Sequence, residues 1–202
     1  MSTNTKQTNK ITNTKKPTGI AIFSAVIILL QLFATFVKFG PFEITLVLAP
    51  IVVGAAVYGA AAGAFLGGVF GAVVLMACIF GWSLSGNVLW MANPPLTALL
   101  CIAKGAAAGF LSGAVYNLLA SKKSNIGVIA AAITCPVVNT GIFCAAFALF
   151  YSDVLKEWAA GTSTLSFIFV SIIGINFVLE FAINVILSPI ISRVLIIRKI
   201  MK

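Results

Sequence analysis

The stretch Leu46–Phe80 reads LVLAPIVVGAAVYGAAAGAFLGGVFGAVVLMACIF, an unbroken apolar run without a charged side chain. Glycine recurs in it at Gly59, Gly63, Gly67 and Gly71. A step of four residues turns an α-helix by about 400°, so these glycines form a slowly drifting stripe along which a neighbouring backbone can come close. Helices packed through small residues in this way usually sit in lipid.

Composition agrees. Of the 202 residues 61% are hydrophobic and 8% charged, against the roughly one quarter charged in soluble domains. The chain reads as an all-α integral membrane protein. With no His and four Asp or Glu in all, most routes to acid–base catalysis or a catalytic metal site are closed, and no enzyme activity, metal or cofactor is expected. Cys78, Cys101, Cys135 and Cys144 fall singly in apolar segments, without the paired spacing of a metal knuckle or redox motif, and read as small packing residues.

A spanning helix needs about 20 apolar residues. Six segments qualify: 18–37, ended by Phe39-Gly40-Pro41; 44–58 and 59–80, joined where glycine permits a tight turn; then 94–119, 126–150 and 165–190. Residues 1–17 read as a disordered cytoplasmic tail and 18–202 as one six-helix transmembrane domain. The net charge of +9 gathers at Lys6, Lys10, Lys15 and Lys16, at Lys122 and Lys123, and at Arg193, Arg198, Lys199 and Lys202. An excess of Lys and Arg marks cytoplasmic flanks, so both termini are placed inside and the loops 38–45, 81–93 and 151–164 outside. Trp82, Trp90, Trp158 and Tyr151 then share the outer face. They form either an interfacial aromatic belt or the wall of an outward-opening site, together with Asn87 and Asn93 of the same loop.

Charge near the bilayer centre costs at least about 2.5–3.5 kcal/mol and marks function by default. Lys104 lies about ten residues into the fourth span, roughly 15 Å deep at ~1.5 Å per residue. It shares a stripe with Thr97 and Cys101. Glu180 is equally deep in the sixth span, on one stripe with Asn176 and Asn184. Asn139 follows Pro136 in the fifth, where the missing N–H leaves the carbonyl of Ala132 without its helical donor. These groups are read either as a structural Lys104–Glu180 pair with asparagines between helices, or as a polar pocket for a solute. The pocket accounts for more of them: if Glu180 bonds the asparagines, Lys104 is left for an anionic ligand group.

No G-x-x-x-x-G-K-[ST] phosphate loop and no inverted repeat occurs, so the chain reads as one part of a larger machine. Its residues resemble the substrate-binding (S) components of energy-coupling factor (ECF) vitamin transporters. The resemblance covers residues 18–195. It rests on Leu46–Gly54 followed by Tyr58–Gly67, on Pro136-Val-Val-Asn-Thr-Gly-Ile-Phe143, and on Ala21-x-x-x-Ala25 in the first span, which is similar to the motif by which these proteins dock on their coupling partner.

The resemblance implies a multi-pass cell-membrane protein that captures a water-soluble vitamin from outside. It implies association with a transmembrane T component and two ATPase subunits, and no nucleic-acid partner. The Pro136–Phe143 segment and the intramembrane lysine favour pantothenate, with folate, riboflavin, thiamine or a cobalamin precursor as alternatives. Expected substrate contacts are Lys104, Asn139, Glu180, Asn176, Asn184, Thr97, Trp82, Asn87, Trp90 and Asn93, and the expected docking residues are Ala21 and Ala25. The competing reading is an autonomous channel or exporter with a structural Lys104–Glu180 pair. An enzyme acting on lipid head groups would need clustered carboxylates or a histidine.

Overall fold

A computed structural model describes residues 3–36, 38–39, 42–43, 47–120, 124–159, 177–178 and 180–187. Helix α1 (Thr3–Phe36) carries the polar start of the chain straight into an apolar stretch, Lys16–Thr35. A two-residue antiparallel pair, β1 (Lys38–Phe39) and β2 (Phe42–Glu43), separates it from α2 (Leu48–Tyr58). Then follow α3 (Ala60–Ile79), α4 (Leu84–Ala92), α5 (Pro94–Ala120), α6 (Ser124–Phe150) and α7 (Ser152–Ala159). Residues 180–187 are also helical.

Among the described residues, four helices are long and apolar enough to cross a membrane: Lys16–Thr35, Ala60–Ile79, Pro94–Leu119 and Ile126–Phe150. The short second span is the eleven-residue α2. The expected sixth span falls largely outside the described residues, with 177–178 and 180–187 its described parts. Large apolar side chains lie exposed along the outer faces, among them Leu29 and Phe33 of α1, Leu118 of α5 and Leu149 of α6. In water such a surface would be an aggregation hazard, whereas acyl chains solvate it.

The glycine stripe sets the tightest packing in the bundle. A Cβ placed on Gly63, Gly67 or Gly71 would run into the carbonyl oxygen of Gly109, Gly105 or Cys101. The clash is mutual, since a Cβ on Gly105 or Gly109 would meet the carbonyl of Gly67 or Gly63. Two antiparallel helices thus touch backbone to backbone, as the four-residue spacing requires. Gly59 stands apart from this ladder: it makes the α2–α3 turn at φ +99°, a region that costs other residues strain, and a Cβ there would meet nothing.

Two expected loops are partly helical. Residues 84–92 form α4 because Ser83 caps it, its Oγ accepting from Gly86 N–H at 3.2 Å, and because Leu89 buries against Leu100 and Phe147. α7 is amphipathic and turns Leu155 inward, while Trp158 meets Phe147 with ring centroids 5.5 Å apart.

The interior divides into two apolar clusters. The larger joins α1, α2, α3, α5 and α6 around Ile27, Ile51, Leu66, Phe70 and Val128. The smaller, around Leu89, Leu100, Phe147, Tyr151 and Leu155, ties α4 and α7 onto α5 and α6.

Candidate binding site

Between the two clusters lies a cavity of about 130 Å³. Its apolar walls come from both, with Phe70 and Val74 on α3 and Leu89 and Leu100 on α4 and α5. Into it project Lys104 from α5, Asn139, Thr140 and Phe143 from α6, Gln31 from α1, and Glu180. One cation, one carboxylate and two amides thus share one space inside an apolar bundle.

Each polar group is held differently. Lys104 is half-buried, and its ammonium stands 5.1 Å from the centroid of the Phe143 ring, whose negative face attracts it. Glu180 is buried and lines the same cavity. Asn184, on the same helical stripe, donates from Nδ2 to the Glu180 carbonyl at 2.8 Å. Asn139 and Gln31 are buried, and each has a side-chain oxygen without a hydrogen-bond donor.

The rim is closed by a hydroxyl network. Thr97 Oγ1 lies 2.7 Å from the Leu89 carbonyl, 2.8 Å from the Asn93 carbonyl and 2.7 Å from Tyr151 Oη. Carbonyls only accept, so these oxygens share the two hydroxyl protons of Thr97 and Tyr151, and Tyr151 Oη also lies 3.4 Å from the Asn93 carbonyl. Burial pushes the Tyr151 phenol above its usual range, partly offset by the bond to Thr97. Asn87 donates to the Cys78 carbonyl at 2.9 Å, fastening α4 to the end of α3. Asn93 Oδ1 accepts from Leu96 N–H at 3.2 Å, capping α5 before its two prolines.

On the outer flank of α1, Ala21 and Ala25 are exposed and line a shallow apolar groove with Pro17, Ile20, Ser24, Ile28 and the Phe65 ring of α3.

Residues 15–192 match the family model described as "ECF transporter, substrate-specific component". The chain belongs to that family. Its members are substrate-binding subunits rather than enzymes, and they work with a T component and ATPases in the cell membrane; this S component is accordingly a multi-pass cell-membrane protein. No curated protein and no solved structure matches it significantly.

Of the residues expected to meet substrate, the fold brings Lys104, Asn139, Glu180 and Thr97 to the cavity. Trp82 instead stacks on Phe80 at 5.3 Å and is exposed. Trp90, Asn87, Asn93 and Asn184 are not among the lining residues, and the last three make the backbone bonds given above. Asn176 lies outside the described residues. Reading the sequence for charges and asparagines missed Gln31, although an amide within an apolar span carries the same signal. It also missed Thr140, which enters the S component's cavity beside Asn139.

Proposed function

We propose that this S component binds a small water-soluble vitamin in the cavity between α1, α3, α4, α5 and α6, and passes it inward when its partners hydrolyse ATP. The observation that carries the reading is the cavity itself: Lys104, Glu180, Asn139 and Gln31 converge between two apolar clusters. Desolvating that many polar groups is costly unless a ligand uses them.

Both termini face the cytoplasm, following the positive flanks, so α4 and α7 face outward and cover the entrance. Six spans complete the bundle, the last passing through 180–187. The groove at Ala21 and Ala25 is the surface that meets the T component, because small residues admit a partner helix closely.

Pantothenate is the favoured ligand. Lys104 supplies a counter-charge for its carboxylate, and the space of about 130 Å³ suits a short chain better than a flavin or a corrinoid ring. Native mass spectrometry of the protein purified from cells grown with pantothenate tests this. The expected spectrum carries one bound molecule of pantothenate mass; a bound vitamin of another mass refutes the assignment.

A further inference from the structure

Two oxygens in the cavity have nothing to accept. Gln31 Oε1 and Asn139 Oδ1 lack hydrogen-bond partners although their residues are 2% and 5% exposed. Buried acceptors are almost always satisfied, so two left open on residues that line one cavity mark it as a place prepared for donors.

Along α6, Cys135, Asn139 and Phe143 follow at intervals of one turn. Glu180 lines the same cavity as the second, and the Lys104 ammonium stands over the third. The open acceptor of Asn139 therefore lies one turn of α6 from the ring that holds the cation. Among the described residues the cavity is lined by a single cation and a carboxylate, so a ligand dianion would lack a second counter-charge there, whereas a monoanion is matched by Lys104.

Resting on the S-component reading, we propose that the ligand is a small monocarboxylate whose body carries O–H or N–H donors about one helical turn, ~5 Å, from the carboxylate. Its donors meet Gln31 and Asn139, and Gln31 is a specificity residue that rejects donor-free carboxylates. Because Gln31 lies on α1, the helix that also bears Ala21 and Ala25, the ligand engages the element that carries the docking groove.

The test measures binding of pantothenate, of its alcohol pantothenol and of donor-free lipoate to the full chain in nanodiscs by calorimetry. Melting of the ligand-free protein is recorded alongside. Pantothenate is expected to bind, and pantothenol and lipoate each at least about tenfold more weakly, since a site built for polar groups discriminates against analogues lacking them. Gln31→Met should weaken pantothenate about tenfold while leaving the ligand-free melting temperature unchanged or higher, because it removes an unpaired acceptor.

Lipoate binding as tightly as pantothenate overturns the proposal. So does Gln31→Met with unchanged affinity, whether or not its melting point falls. If the variant does not fold, the comparison of the three ligands on the unaltered chain decides. A chain that assembles with its T component and ATPases but binds no donor-bearing monocarboxylate, biotin included, refutes this inference and leaves the S-component reading intact. A chain that neither binds nor assembles refutes both.

Discussion

Gly67 and Gly68 are neighbours on α3, and the same substitution should have opposite effects at the two positions. At Gly68 a Cβ would meet nothing within 4 Å. Alanine is favoured over glycine in a helix by about 1 kcal/mol, so Gly68→Ala should stabilise by roughly 0.5–1 kcal/mol. At Gly67 the new methyl would meet the carbonyl oxygen and carbon of Gly105 and come within 3.1 Å of Ala106 N. All three are backbone atoms of a facing helix, which cannot move aside by changing rotamer. Overpacking a close-packed interior costs about 1–3 kcal/mol, and an obstacle made of backbone places this case at the upper end.

After the gain in propensity, Gly67→Ala should lose about 2 kcal/mol. The two variants should therefore differ by about 3 kcal/mol, combining these contributions. Reversible unfolding in mixed detergent micelles, followed by circular dichroism, measures both. A Gly67→Ala protein within about 0.5 kcal/mol of Gly68→Ala, the scatter expected of neutral substitutions, would refute backbone contact between α3 and α5.

Three other perturbations probe the site and its surroundings. Lys104→Met should weaken pantothenate binding by at least about tenfold, because a hydrogen bond to a charged group contributes about 1.5–3 kcal/mol; calorimetry showing unchanged affinity would remove the lysine from the ligand site. Replacing Ala21 and Ala25 together with Trp should abolish co-purification with the T component while leaving ligand affinity intact, and retained assembly would move docking elsewhere. Tyr151→Phe removes the hydroxyl bonded to Thr97 and should cost about 1 kcal/mol at neutral pH. Since burial raises the Tyr151 phenol, its folded form holds the proton more tightly than the unfolded form. Stability from this group is complete below pH ~10, the unfolded value, and is lost as pH rises through the folded one. Melting curves should fall above pH 10 in the parent and less so in Tyr151→Phe; an identical decline in both would assign the alkaline loss to other groups.

The long helices were legible in the sequence because hydropathy and length decide them. Segments expected at 59–80, 94–119 and 126–150 are α3 (Ala60–Ile79), α5 (Pro94–Ala120) and α6 (Ser124–Phe150). The glycine stripe foretold which face of α3 packs closely, and Lys104, Asn139 and Glu180 do reach one cavity. What escaped was short or tertiary. α4 has nine residues, too few for a spanning signal, and is fixed by the Ser83 cap and the Asn87 bond to Cys78. Trp82 and Trp90 do not line the cavity, since placing an indole on a wall or at an interface depends on the direction a short helix presents. Asn87 and Asn93 were read as ligand groups, yet both satisfy backbone at helix ends, a role that side-chain chemistry alone cannot separate from ligand binding.

Uptake by reconstituted vesicles tests the central claim most directly. Vesicles containing this chain alone, given labelled pantothenate outside, should bind about one equivalent and accumulate none, because a single S component of this kind needs its partners' ATPases. Adding the T component and both ATPases with ATP inside the ATPase-facing compartment should then drive accumulation against a gradient. Accumulation or equilibration of the label across vesicles that hold this chain alone would contradict the account and establish an autonomous transporter or channel.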